Sequence, residues 1–231
     1  MMLGGLQKNS FMDYPDKISC IIFTAGCNFR CPFCHNGYLV VNVNETPLVK
    51  EKYIFDFLES RKGLIDAVVI TGGEPLMQKD IGNFMKKIKS MGFLVKLDTN
   101  GSFPDILKEL IDGNLLDYIA MDIKATPEKY EEACGAKVDV EKIKRSVEMI
   151  KESGIDYEFR TTAIKEIHTQ EDFEKIGKWL NGAKKYYLQK FSSKETIEPE
   201  FSNKTAYTTD EMEKICKSIR NYSVNCVVRG N

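Results

Sequence analysis

Nowhere in this 231-residue chain does an apolar run approach the roughly 20 residues that a bilayer-spanning helix requires, so no membrane partner is expected. The opening MMLGGLQKNSFMDYP lacks the charged and apolar zones of a secretory signal, which makes the cytoplasm the expected location. An excess of one charge is missing too: 33 Lys and Arg stand against 34 Asp and Glu, interspersed, for a net charge of −1. Without a basic stripe, phosphate-dominated binding has nothing to rest on, and no nucleic-acid partner is expected. There is no Pro/Gly/Ser-rich linker and no low-complexity segment, so residues 1–231 read as one domain with a continuous core. Cysteines in even number, spread along the chain, are also absent. Of the seven, three fall within eight residues. That argues against a disulfide framework and, in a reducing compartment, for a metal site or catalysis.

What is present is regular. ISCIIFT (18–24), AVVIT (67–71), FLVKLD (93–98), DYIAMD (117–122), DYEFRTT (156–162) and KKYYLQK (184–190) are the expected strands. Between them apolar residues recur at helical spacing: Tyr53, Ile54, Phe57 and Leu58, then Phe84, Met85 and Ile88, then Ile106, Leu107, Leu110 and Ile111. Ile143, Val147 and Ile150 follow, then Phe173, Ile176 and Leu180, then Met212, Ile215 and Ile219. Gly63, Gly92, Gly113, Gly154 and Gly182 punctuate the ends of five of these helices. Six strand–helix units predict an α/β fold, an incomplete (β/α)6 barrel of parallel strands with outer helices. The terminal VNCVVRGN offers one further short strand. In such barrels the chemistry gathers at the C-terminal ends of the strands, and the residue types that carry chemistry here follow the apolar runs.

The first strand leads into TAGCNFRCPFCHN, in which Cys27, Cys31 and Cys34 have the spacing C-x3-C-x2-C. One short loop can wrap three such thiolates around a single iron–sulfur cluster. A four-iron cluster then keeps one iron open, as a catalytic metal site must. The competing zinc site wants four ligands in paired C-x2-C spacing, and there is no second pair; His35 adjoins Cys34 too closely to complete a tetrahedron. Cys20 falls inside the first strand and reads as core, while Phe29 and Phe33 would shield a cluster or simply pack the loop.

Further residues stand at the ends of later strands. TGGEP (71–75) brings Gly72 and Gly73, which permit close backbone approach, and Glu74, a carboxylate acceptor for an ammonium group. KLDTNG (96–101) places Asp98 and Thr99 at a strand end with Asn100-Gly101 as the turn. In AMDIK (120–124) Asp122 and Lys124 alternate onto one face. Arg160, in EFRTT, suits a carboxylate held through two hydrogen bonds, or an exposed salt bridge. His168 reads as a surface loop histidine, with a cofactor or substrate contact as the alternative, and Cys134, Cys216 and Cys226 as incidental. No cysteine lies between Cys34 and Gly72, so no insert with extra clusters fits there.

ISCIIFTAGCNFRCPFCHN resembles the signature of the radical S-adenosylmethionine (SAM) superfamily, and the likeness extends over nearly the whole chain. The opening GGLQKNSFMDYPDKISC, the HNGYLV after the cysteines and the terminal VVRGN resemble activating enzymes of glycyl radical enzymes, most of all those serving anaerobic ribonucleoside-triphosphate reductase. The resemblance implies that Cys27, Cys31 and Cys34 bind a [4Fe-4S] cluster whose open iron takes the amino and carboxylate groups of S-adenosyl-L-methionine. One electron then cleaves the sulfonium to methionine and a 5′-deoxyadenosyl radical. It further implies that Gly72, Gly73, Glu74, Asp98, Asp122, Lys124 and Arg160 bind that cofactor. In some relatives a monovalent cation binds nearby, for which Asp98, the backbone of Met121 and Asp122 are the candidates. Relatives carry a basic residue or His after the Phe of the sixth strand; Ser192 stands here instead, with Gln189 as a substitute contact. The implied partners are a glycyl radical enzyme and a flavodoxin or ferredoxin-type electron donor. Two rivals stay open: a radical enzyme acting on a small molecule, like 7-carboxy-7-deazaguanine synthase, and a non-catalytic zinc module.

Overall fold

The computed structural model describes residues 1–193, 196–222 and 224–230. Eight strands form one sheet in sequence order: β1 (Leu3–Ser10), β2 (Ser19–Thr24), β3 (Ala67–Gly72), β4 (Leu94–Thr99), β5 (Tyr118–Asp122), β6 (Asp156–Ala163), β7 (Tyr186–Lys190) and β8 (Cys226–Arg229). β1 pairs antiparallel with β2, and every later neighbour is parallel. The six predicted strands are β2 to β7, and the structure adds one strand at each edge. VNCVVRGN supplies β8, paired with β7; its last residue, Asn231, lies outside the described residues. No ladder joins β1 to β8 among the described residues, so the barrel is open.

The helices are α1 (Gly37–Val41), α2 (Glu51–Ser60), α3 (Ile81–Ser90), α4 (Pro104–Asp112), α5 (Tyr130–Cys134), α6 (Val140–Glu152), α7 (Gln170–Trp179) and α8 (Thr209–Ile219). Thr169 with Asp172 and Thr208 with Glu211 form capping boxes that fix the starts of α7 and α8. The predicted faces are buried except that Ile106 and Ile111 are half-buried and Tyr53 is 49% exposed; Phe55 takes the place of Tyr53 in the core, its ring 5.2 Å from that of Phe84. Four of the five punctuating glycines adopt positive φ; Gly113 keeps a helical φ and Asn114 takes the left-handed position at φ 54°. No helix among the described residues is long and apolar enough to cross a membrane.

The two faces of the sheet differ in kind. Cys20, Ile22, Val68, Ile70, Leu97 and Phe159 join the helices in one large apolar core. On the opposite face the apolar contacts stop at a small cluster of Tyr14, Ile21, Ala67, Val69 and Tyr118. Alternation along the strands puts Thr71, Lys96, Asp98, Asp122 and Arg160 on that second face. The interior therefore changes from apolar to charged toward the C-terminal ends of the strands.

Candidate active site

Immediately after β2 the chain enters the cysteine loop, which is seated by backbone hydrogen bonds from four separate segments. Gly26 N–H donates to the Leu39 carbonyl (2.8 Å), Glu74 N–H to Gly26 (2.8 Å), Arg30 N–H to Cys134 (2.8 Å) and Glu198 N–H to Pro32 (3.0 Å). The Arg30 guanidinium closes the loop on itself through the carbonyls of Cys27 (2.6 Å) and Phe29 (2.8 Å). Cys27, Cys31 and Cys34 consequently border one cavity of about 420 Å³, within the roughly 300–1,000 Å³ of small-molecule and cofactor sites. Among the described residues no three His, Cys, Asp or Glu side chains converge as a single ion requires. Three thiols around a space of this size suit the corners of a polynuclear cluster, with the remaining corner open to the cavity.

The sulfur of Cys27 accepts the Phe29 N–H (3.4 Å) and the Asn100 side-chain amide (3.9 Å), contacts of the kind that tune a cluster. Burial pushes the Cys27 thiol up to about 12, and the charge of Glu74 adds to the effect; a metal must displace that proton to bind. Phe29 and Phe33 are buried and line the cavity.

The end of β3 lies against this loop, backbone on backbone. A Cβ at Gly73 would stand 2.0 Å from the Gly26 carbonyl oxygen, and one at Gly72, whose φ is 109°, would stand 2.5 Å from the backbone of Thr24. No side chain can be accommodated at either position. Glu74 is 1% exposed, and its carboxylate accepts hydrogen bonds from Leu76 N–H (3.1 Å), Thr99 Oγ1 (2.7 Å) and Asn100 N–H (2.8 Å). Burial nevertheless pushes this carboxyl up to about 7. Expected as an acceptor for an ammonium group, Glu74 is in the first place a brace between the ends of β3 and β4. Gly72, Gly73 and Glu74 all line the cavity.

Asp98, Asp122, Lys124 and Arg160 converge, and all four line the same cavity. Arg160 bridges the two acids, Nε to Asp122 at 2.8 Å and Nη1 to Asp98 at 3.1 Å, while Lys124 Nζ holds the other Asp122 oxygen at 3.0 Å. It is therefore a buried bridge, not an exposed salt bridge. Burial works against ionisation of both acids, but Arg160, with Lys96 on Asp98 and Lys124 on Asp122, outweighs it and holds both carboxyls below the ordinary range. Lys96 was not anticipated. Its ammonium lies 2.8 Å from Asp98 Oδ1, at 3% side-chain exposure. The signal was there to be found: in FLVKLD, Lys96 and Asp98 alternate with Val95 and Leu97.

Other expectations need correction. His168 is not a surface residue; it is fully buried. Its Nε2 donates to the Lys124 carbonyl (2.8 Å), and its Nδ1 accepts the Ile164 N–H (3.3 Å), so it fixes the backbone of Lys124 from behind. Burial holds it below the ordinary imidazole value. Cys134 is not incidental to the loop, because its side chain is fully buried and its carbonyl accepts the Arg30 N–H (2.8 Å). Cys216 and Cys226 form a disulfide between α8 and β8. After β7, the Ser192 carbonyl accepts from His35 Nε2 (2.8 Å), and the Phe191 ring stacks on His35. That segment therefore holds the cysteine loop in place, while Gln189, within β7, lines the cavity.

A model of the radical SAM superfamily matches residues 21–180. A Methanocaldococcus jannaschii protein described as a candidate glycyl-radical enzyme activating enzyme is 35% identical, over 99% of this chain and 95% of that one. A 7-carboxy-7-deazaguanine synthase of Hyperthermus butylicus is 38% identical, but over only 37% of this chain and 36% of that one. Among solved structures, a domain of pyruvate-formate lyase-activating enzyme from Bacteroides vulgatus superposes with a TM-score of 0.59. It covers 71% of this chain and 99% of that one at 13% identity, a likeness of fold alone.

Proposed function

The chain belongs to the radical SAM superfamily, and from that premise we propose that it is an activating enzyme that generates a glycyl radical on a larger partner, anaerobic ribonucleoside-triphosphate reductase. The family implies a [4Fe-4S] cluster and S-adenosylmethionine. When bound and reduced, the cluster supplies the electron that splits the sulfonium of that cofactor. Cys27, Cys31 and Cys34 hold the cluster. Gly72, Gly73 and Glu74 seat the methionyl amino group at the end of β3, and Arg160 receives its carboxylate. Asp98, Asp122 and Lys124 set the field around that carboxylate and keep Arg160 in place. A positive charge beside Asp98 and Asp122, the role the resemblance gives to a monovalent cation, belongs to the same proposal. Phe29 and Phe33 exclude water from the reacting centre. A low-potential donor of the flavodoxin or ferredoxin type and a cytoplasmic setting complete it.

The observation that carries this reading is the convergence on one cavity of three thiols from a single loop with the ends of β3, β4, β5 and β6. A protein substrate in place of a metabolite is supported at its rim. Phe11 and Met12, 76% and 90% exposed, stand in the turn between β1 and β2, whose Asp13 borders the cavity. Large apolar side chains in water beside an active-site mouth suit a partner surface. Similarity to the activating-enzyme relative over nearly the full length of both chains supports the same choice.

The test is anaerobic. Reconstituted protein with S-adenosylmethionine and a strong reductant should release 5′-deoxyadenosine, and Cys31→Ala should release none. Addition of the reductase should then give an organic radical signal localised to one glycine. Turnover of a small molecule, with no radical on any glycyl radical enzyme of the source organism, would move the assignment to the synthase-like alternative.

A further inference from the structure

We infer that Lys96 is a tethered monovalent cation: its ammonium occupies the place beside Asp98 that an alkali ion would otherwise take, and cofactor binding is therefore independent of sodium and potassium. The inference rests on the cavity being the S-adenosylmethionine site.

Lys96 lies in the middle of β4, and its neighbours Val95 and Leu97 join the large apolar core. Lysine at such a position is unfavourable unless its charge is matched. The match is Asp98, whose Oδ1 accepts from the ammonium at 2.8 Å while its Oδ2 accepts from Arg160 at 3.1 Å. Asp122 is likewise divided between Arg160 and Lys124. Every oxygen of the two acids thus has a cation supplied by the chain itself. Glu158, the next acid on the same face, offers no spare negative charge, because Arg229 holds both of its oxygens at 2.7 and 2.9 Å. An alkali ion entering here would meet three cations within the same group and two carboxylates already shared among them. Coulomb repulsion at such distances, away from bulk water, opposes it.

The arrangement also has a use. Asp98 draws on Lys96, so Arg160 commits only Nε and Nη1 to the acids, and its Nη2 has no protein partner among the described residues. That arm remains for a ligand carboxylate in the cavity that Arg160 lines. Without the Lys96 ammonium, Asp98 must take more of Arg160 or recruit an ion from solution.

The experiment is a titration of the anaerobically reconstituted holoprotein with S-adenosylmethionine by calorimetry. It is run in sodium chloride, in potassium chloride and in tetramethylammonium chloride at equal ionic strength. Wild-type affinity should agree within about twofold in all three. Lys96→Ala should bind about tenfold more weakly in tetramethylammonium, the loss that about 1.4 kcal/mol represents, and should recover in sodium or potassium. Lys96→Met, which keeps the aliphatic stem, repeats the test should the alanine variant fail to fold, and ²³Na relaxation should detect a bound ion in the variants alone. A wild type that loses affinity without alkali ions overturns the inference while leaving the cofactor site intact, as do variants that bind like wild type in tetramethylammonium or never recover. A wild type that binds no cofactor in any buffer, despite a full cluster, overturns both.

Discussion

Replacing Arg160 by methionine removes the bridge between two acids and leaves the rest of the network standing. The guanidinium is 11% exposed and makes two charged hydrogen bonds, at 2.8 and 3.1 Å. Hydrogen bonds to charged groups contribute about 1.5–3 kcal/mol each, and removing one partner from a buried ionic group costs about 3–5 kcal/mol because the remaining charges are stranded. Lys96 and Lys124 stay behind to compensate, so the lower end, about 3 kcal/mol, is expected at pH 7.5. At about 2–4 °C per kcal/mol for a chain of this size, Tm should fall by roughly 6–12 °C. The pH dependence has a definite sign. Against the opposing effect of burial, Arg160 and the lysines hold the Asp98 and Asp122 carboxyls below the ordinary range. Their stabilisation is present above the unfolded carboxyl value of about 3.9 and is lost as pH falls through the lower folded values. In the variant, burial is less opposed and both carboxyls rise, so the gap to wild type should narrow between pH 7.5 and 5. Anaerobic urea unfolding followed by circular dichroism measures both quantities. A variant within about 1 kcal/mol of wild type at pH 7.5, or a gap that widens on acidification, would refute the account of the network.

Three other perturbations probe the surroundings. Gly73→Ala puts a methyl group 2.0 Å from the Gly26 carbonyl oxygen, so the cysteine loop must move; iron and sulfide per chain after reconstitution should drop severalfold while far-UV circular dichroism is kept. His168 is held neutral by burial, below the unfolded imidazole value of about 6.5, so its contribution is present above that pH and lost as pH falls. In His168→Gln the part of the stability decline between pH 6.5 and 5 that belongs to His168 should disappear from the unfolding curves. Cys134→Ala keeps the backbone carbonyl that accepts the Arg30 N–H, so iron and sulfide per chain after reconstitution should be unchanged. A Cys134→Ala protein that cannot hold iron would show that this residue is a ligand.

What the sequence disclosed depended on burial. The strands β2 to β7 fall within two residues of the expected ranges because their apolar runs face a continuous core, which leaves one chemical solution for many consecutive positions. β1 was missed because only Leu3 and Ser10 of its eight residues are buried, and the segment holds two glycines and a polar run. Its strand character comes from backbone pairing with β2, which side chains do not announce. The cysteine loop was legible because three ligands lie close in sequence. Cys134 was not, since 99 residues of chain separate it from Cys34 and only the fold brings α5 back against the loop. His168 was misjudged for a related reason: a polar residue in a loop reads as exposed until the loop is seen to fold inward over the end of β5.

The order of the loop bears on how the site is assembled. Besides its backbone contacts, Asn28 donates to Ser102 (3.0 Å) and accepts from Asn100 (3.0 Å), and His35 reaches the carbonyl of Ser192. The loop is thereby tied to segments that follow β3, β4 and β7, and through Cys134 to α5, by groups that are not thiols. A metal-binding loop ordered only by its metal would spend part of the binding free energy on folding. Here the protein's own hydrogen bonds supply order to the loop that carries the three cysteines. The glycines at the end of β3 and the brace of Glu74 serve the same end, since they set the loop against the strand that carries the proposed amino-group contact. The proposed cluster site and the proposed cofactor site therefore share one hydrogen-bonded frame. A substitution in the brace should disturb both together, which distinguishes this arrangement from two independent sites sharing a cavity.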